Sequence, residues 1–210
     1  MTAVRVNRLH YPVTALGPGV RLGVWLQGCS IGCRGCVALD TWDPADAASR
    51  PVADVVASAR ALVDGPVDGV TITGGEPFEQ VTGLPELLAA LRDEFRGADL
   101  LAYSGYELDH LVKVAAPALA RLDAVITGPY IADRPAASAW WGSANQTLNP
   151  LTDLGAERYA NVPSDARLQV DVDDNGAIWL IGVPPRGVLQ QAERRLRAVG
   201  IRLQEVSWRP

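Results

Sequence analysis

All three cysteines of this 210-residue chain fall within eight positions, in the run Gly28-Cys29-Ser30-Ile31-Gly32-Cys33-Arg34-Gly35-Cys36. The C-x3-C-x2-C spacing follows an apolar stretch, Val20 to Leu26, that reads as a strand. Three thiolates converging on such a loop can hold three corners of a [4Fe–4S] cluster, where four would close it, and the fourth iron is then free for a further ligand. A disulfide framework needs an even cysteine count and an oxidising compartment. Inert, buried cysteines have no reason to cluster this tightly. Zinc stays open as an alternative: His10 and His110 lie at no zinc-finger spacing from the triplet, yet residues remote in sequence can be near in space.

The rest of the composition sets bounds. A chain of this length suits one domain able to bury its own core. An apolar content of 48% with 20% charged residues is that of an ordered globular protein. The net charge of −5 argues against general attraction to nucleic acid. No run reaches the length of a membrane span, and residues 1–10 have no apolar signal-peptide core. A cytoplasmic location is expected, where thiols stay reduced and available to metal. Arg194-Arg195-Leu196-Arg197 sits in a helical stretch and reads as a solvated face.

Along the chain, strands and helices alternate. Strands are expected over 4–9, 20–26, 69–73, 100–103 and 124–127. Helices are expected over about 51–63, 79–95 and 107–114, with a further turn at 117–122. Leu84, Leu87, Leu88 and Leu91 give the second helix its apolar face. Such alternation implies βαβ units and a parallel sheet, with ligands at the strands' C-terminal rim. Residues 130–165 read as loop. Residues 168–172 and 177–181 read as a hairpin with an Asn-Gly turn, followed by a helix over 188–198 and a last strand over 201–206.

At the end of the 69–73 strand stands Gly74-Gly75-Glu76-Pro77. Taken alone it is a strand-to-helix turn with Pro77 at the helix start. A three-cysteine loop after one strand and Gly-Gly-Glu after the next resembles the radical S-adenosylmethionine superfamily. The resemblance narrows to the activating proteins of glycyl-radical enzymes, above all those of anaerobic ribonucleotide reductase. It rests on Gly17-Pro18-Gly19-Val20-Arg21, Leu26-Gln27-Gly28-Cys29, Arg34-Gly35-Cys36, Asp40-Thr41-Trp42, Ser104-Gly105-Tyr106 and Gly142-Ser143-Ala144-Asn145-Gln146, and covers most of residues 17–146. Thr127 stands where that branch usually has an acidic residue.

The resemblance implies an α/β fold, an incomplete βα barrel, forming a single domain over residues 1–210. Its core spans about 1–150 and a C-terminal hairpin-helix-strand extension about 151–210. It implies Cys29, Cys33 and Cys36 as ligands of one [4Fe–4S] cluster. Gly74, Gly75 and Glu76 are implied as holding the amino group of S-adenosylmethionine, and Ser104 as a further contact. The implied activity is one-electron cleavage of S-adenosylmethionine to a 5′-deoxyadenosyl radical that takes a hydrogen from a glycine of a partner enzyme. A flavodoxin- or ferredoxin-like protein is the implied electron donor. A small-molecule enzyme similar to 7-carboxy-7-deazaguanine synthase, or an iron–sulfur electron-transfer or sensing protein, are the alternatives. No cysteines remain for auxiliary clusters. The extension can cap the site, dock a partner or simply cover exposed sheet. Trp140 and Trp141 offer an aromatic platform, but packing is the commoner role for paired tryptophans and is the one expected here. Asn145 and Gln146 either bond a ligand or partner or fix their own loop, and the resemblance favours the former.

Overall fold

A computed structural model of the chain describes residues 2–136, 138–165, 168–173, 176–203 and 206–209. Its main element is a seven-stranded mixed sheet. In chain order the strands are β1 (Ala3–Val13), β2 (Arg21–Leu26), β3 (Ser49–Pro51), β4 (Gly69–Gly74), β5 (Asp99–Tyr103), β6 (Ala124–Thr127) and β7 (Thr147–Pro150). Their spatial order is β3-β1-β2-β4-β5-β6-β7. The four central strands, β2, β4, β5 and β6, run parallel, and the outer pairings are antiparallel. The centre is apolar because parallel strands are covered on both faces: every residue of β2 and β6 is buried.

Helices α1 (Val52–Leu62), α2 (Gly83–Glu94), α3 (Leu108–Val114) and α4 (Ala116–Leu119) pack beside this sheet. The expected leucine face of α2 is there, with Leu84, Leu87, Leu88 and Leu91 buried against Leu22, Val24 and Ile72. The helix starts later than its periodicity suggests. Glu76 accepts the Phe78 N–H, which folds Pro77–Glu79 into a separate 3₁₀ turn. Pro51 ends β3 and precedes α1 rather than occupying its first turn.

At the N-terminal ends of the parallel strands, Arg21 and Asp99 form a fully buried ion pair. Its two N–H···O contacts are 3.0 and 2.8 Å, a bidentate geometry. The other guanidinium donors go to Thr71 Oγ1 and to the carbonyls of Pro18 and Val70, while the Tyr159 hydroxyl donates to Asp99. With every Arg21 donor satisfied, desolvation is compensated locally.

Residues 147–150 and 153–158, expected as loop, form edge strand β7 and helix α5 (Asp153–Arg158). Both are short, and β7 is half exposed, so neither carries an apolar period. Thr152 caps α5 by accepting the Gly155 N–H. The hairpin forms as expected from β8 (Leu168–Val172) and β9 (Ile178–Gly182), and helix α6 spans Val188–Ala198. Asp174 and Asn175 of its turn lie outside the described residues. The last strand does not form among the described residues of 201–206. The chain there bonds to the loop after Cys36 rather than to the outer side of β3 or β7: Leu39 N–H donates to the Ser207 carbonyl.

The hairpin leans on β1. His10 Nε2 lies 2.9 Å from Asp171 Oδ2 and its ring packs on Trp179 with centroids 4.5 Å apart. Gln169 accepts the Thr14 N–H and donates to the Pro12 carbonyl. Among the described residues no helix is long and apolar enough to cross a membrane.

Replacing Arg21 with leucine leaves the Asp99 carboxylate buried without its partner, which costs about 3–5 kcal/mol. Urea denaturation of Arg21→Leu should show that loss. A change below about 1 kcal/mol, the worth of a surface pair, would contradict the role given to this interaction.

Candidate functional site

Strand direction brings the site together. Because β2, β4, β5 and β6 are parallel, the residues that follow them emerge on one rim: Gln27-Gly28-Cys29, Gly75-Glu76, Ser104-Gly105 and Gly128-Pro129. A cavity of about 1040 Å³ opens there, at the upper end of the range for small-molecule sites. Cys29, Cys33 and Cys36 line it together with Gly74, Gly75, Glu76 and Ser104. The seven residues singled out in the sequence therefore share one cavity.

Two backbone bonds lock the Gly-Gly-Glu segment to the cysteine loop. Gly75 N–H donates to the Leu26 carbonyl and Glu76 N–H to the Gly28 carbonyl, both at 2.8 Å. A Cβ at Gly75 would stand 2.2 Å from the Gly28 oxygen, so only glycine fits. Its smallness serves the protein's own backbone, a requirement distinct from ligand approach. The loop returns by Gly28 N–H to the Thr41 carbonyl and Cys29 N–H to the Trp42 carbonyl. Gln27 fastens this return, donating to the carbonyls of Asp40 and Asp43. Glu79, expected only as a helix residue, accepts both the Ser30 N–H and hydroxyl, at 3.0 and 2.6 Å, and the Tyr106 hydroxyl.

All three thiols are free and half-buried. Burial pushes the Cys29 and Cys33 thiols up, while backbone N–H groups oppose it, from Gly32 and Ile31 at Cys29 and from Tyr130 at Cys33. Ala38 N–H points to Cys36 Sγ at 3.4 Å. Three reduced sulfurs, each met by backbone N–H, fit the thiolate ligation of an iron–sulfur cluster. Zinc fits less well. His10 is engaged with Asp171 and Trp179, and His110 packs on Tyr106. Among the described residues no three His, Cys, Asp or Glu side chains are grouped to hold a single metal ion.

Glu76 is only 2% exposed. Its Oε1 accepts from Phe78 N–H at 3.0 Å and Ser104 Oγ–H at 2.9 Å, and its Oε2 from Gly105 N–H at 2.7 Å. A carboxylate has about four acceptor positions, so one remains on Oε2. Burial pushes the Glu76 carboxyl up to about 7, against the pull of those three donors. A buried carboxylate in that balance favours a cation beside it. Ser104, meanwhile, also receives the Tyr106 N–H, so its hydroxyl fixes Glu76 in place.

Much of the cavity wall carries no local sequence signal. Five of the six tryptophans line it, Trp25, Trp42, Trp141, Trp179 and Trp208, drawn from distant segments. The hairpin and the residues around Ser207 close one side. Nothing local in sequence marks such residues, since only the tertiary fold assembles them. Trp140 packs edge-on against Tyr159, as expected of a core residue. Asn145 and Gln146 fix their own loop: Asn145 donates to the Pro129 carbonyl, and Gln146 to that of Gly128 while accepting from Gly142 and Ser143 N–H. Gln146 also borders the cavity.

Residues 15–149 match the model of the family described as 4Fe-4S single cluster domain. The anaerobic ribonucleoside-triphosphate reductase-activating protein of Enterobacteria phage T4 is 28% identical over 139 residues, covering 65% of this chain and 88% of that protein. Its namesake in Escherichia coli K12 is 26% identical over 148 residues, covering 68% of this chain and 96% of that protein. The pyruvate formate-lyase-activating enzyme of Listeria monocytogenes is 38% identical over 85 residues, 39% of this chain and 34% of that protein. The chain belongs to the 4Fe-4S single cluster domain family and, with these relatives, to the radical S-adenosylmethionine activating enzymes.

Proposed function

We propose that this protein generates a glycyl radical on a partner enzyme of the anaerobic ribonucleotide reductase type. The observation that carries the reading is Glu76, buried with an acceptor position to spare, in the same cavity as three free cysteines. Cys29, Cys33 and Cys36 hold a [4Fe–4S] cluster. Gly74, Gly75 and Glu76 receive the ammonium of S-adenosylmethionine, and Ser104 aims Glu76 at it. When bound, the reduced cluster supplies the electron that splits S-adenosylmethionine into methionine and a 5′-deoxyadenosyl radical, which takes the glycine hydrogen. The chain's own part is to place these groups and to exclude water with the tryptophan-rich wall.

The partner class rests on relatives of that name that align over nearly their whole length. The electron comes from a flavodoxin- or ferredoxin-like donor, and the protein works in the cytoplasm. The sheet is the incomplete barrel of the superfamily, within one domain over 1–210 whose extension begins near residue 151. One feature favours a second reading, a small-molecule substrate: the hairpin and the residues around Ser207 narrow the cavity. A glycyl-radical signal on an anaerobic ribonucleotide reductase mixed with the loaded protein would decide for the first.

Cys33→Ser should lose the charge-transfer absorbance of the cluster after anaerobic reconstitution. A complete [4Fe–4S] centre in that variant would refute the ligand set. Glu76→Ala should keep the cluster and weaken S-adenosylmethionine binding, because Glu76 ligates no iron; unchanged affinity would refute its role. Binding needs Glu76 ionised, above its pKa of about 7, and the ligand amine protonated, below roughly 8. Affinity should therefore peak between those values and decline by up to about tenfold per pH unit on the acid side. Titration calorimetry of Glu76→Gln should show no acid limb; an acid limb that persists would contradict the pairing.

A further inference from the structure

A second, smaller opening touches the cysteine loop from outside the main cavity. It measures about 290 Å³ and is lined by Arg34, Cys36, Tyr130, Arg186, Gln190 and Trp208 among others. It reaches Cys36 without reaching Glu76, so it gives access to the cluster side alone. Anything that must approach the iron while S-adenosylmethionine and substrate fill the main cavity needs such a route.

The surface around it is basic. From Val183 to Pro210 the chain carries six arginines against two glutamates, a net +4 in a protein whose total is −5. Gln190 borders the opening, and Arg194 and Arg197 follow it at i+4 and i+7 on α6, along one stripe of the helix. Arg186 is 72% exposed, and its pairing with Asp133 is a solvent-screened surface contact. Arg197 and Arg209 share Glu193. Arg34, Arg194 and Arg195 are exposed and make no ion pair among the described residues. A solvated helix face accounts for one or two such arginines. A concentration of them near an opening that reaches a cluster ligand has a sign and a place.

We propose that the arginine surface of α6, with Arg34 and Arg186 at the Cys36 opening, docks an acidic one-electron carrier protein. The inference rests on the cluster assignment of the proposed function and gives the C-terminal extension its task. One electron leaves the carrier's reduced flavin or iron–sulfur centre, which is oxidised by one unit, and enters the [4Fe–4S] cluster, which is reduced by one; no bond forms or breaks. Opposite charges steer the encounter and orient the carrier's redox centre toward Cys36. The compact relatives align to about two thirds of this chain, so the extension is an addition rather than a part they share.

The test uses the reconstituted holoprotein, freed of reductant and mixed in stopped flow with a photoreduced bacterial flavodoxin. In Arg194→Glu/Arg195→Glu the second-order rate of cluster reduction should fall at least about tenfold at low salt, and the wild type's decline with ionic strength should flatten. Reduction by dithionite and dithionite-driven 5′-deoxyadenosine formation should match the wild type. The neutral pair Arg194→Gln/Arg195→Gln should fall between the two. Equal flavodoxin rates in wild type and charge-reversed protein would overturn the proposal. A parallel fall with dithionite would overturn it too, by placing the effect on the cluster or on another partner. A wild type that takes no electron even from dithionite would overturn the cluster reading, and the docking with it.

Discussion

The pairing of β2 with β4 decides where the chemistry sits. The two strands run parallel with Leu26 opposite Gly74, so the chain leaves both at the same height and in the same direction. The next residues are the cysteine loop on one side and Glu76 on the other. The Glu76 N–H to Gly28 carbonyl bond closes the gap between them, and it forms because Gly75 has no side chain to hold the backbones apart. One register thus places three sulfurs and a buried carboxylate around one mouth. At the N-terminal ends of the parallel strands, the fully buried Arg21–Asp99 pair ties β2 to β5.

The carboxylate and the thiols are kept in related states. Burial disfavours charge on Glu76 and on Cys29 and Cys33, while backbone N–H groups aimed at each limit that penalty. Such groups gain most when a cation or a metal arrives, since the new charge takes over the task that water performed in the unfolded chain. The site is built to be completed.

Much of this was legible in the sequence because its signals were local. The cysteine spacing, the Gly-Gly-Glu at a strand end and the leucine period of α2 each depend on a few adjacent residues, and all appear where expected. Elements whose identity depends on distant partners were not legible. β7 is a strand because β6 offers an edge, not because Thr147-Leu148-Asn149-Pro150 alternates. Glu79 reads as helix and acts as a brace for Ser30, and five scattered tryptophans become one wall. The apolar alternation of 201–206 suggested a strand, yet the backbone near Ser207 joined the cysteine loop rather than the outer side of β3 or β7.

In the proposed function the cysteine loop and Glu76 together start a radical from S-adenosylmethionine. The direct measurement is 5′-deoxyadenosine, quantified after adding dithionite and S-adenosylmethionine to the anaerobically reconstituted protein. 5′-Deoxyadenosine should form, dependent on both cluster and reductant. A [4Fe–4S] signal that S-adenosylmethionine leaves unaltered, with no 5′-deoxyadenosine produced, would contradict it and point to an electron-transfer or sensing protein.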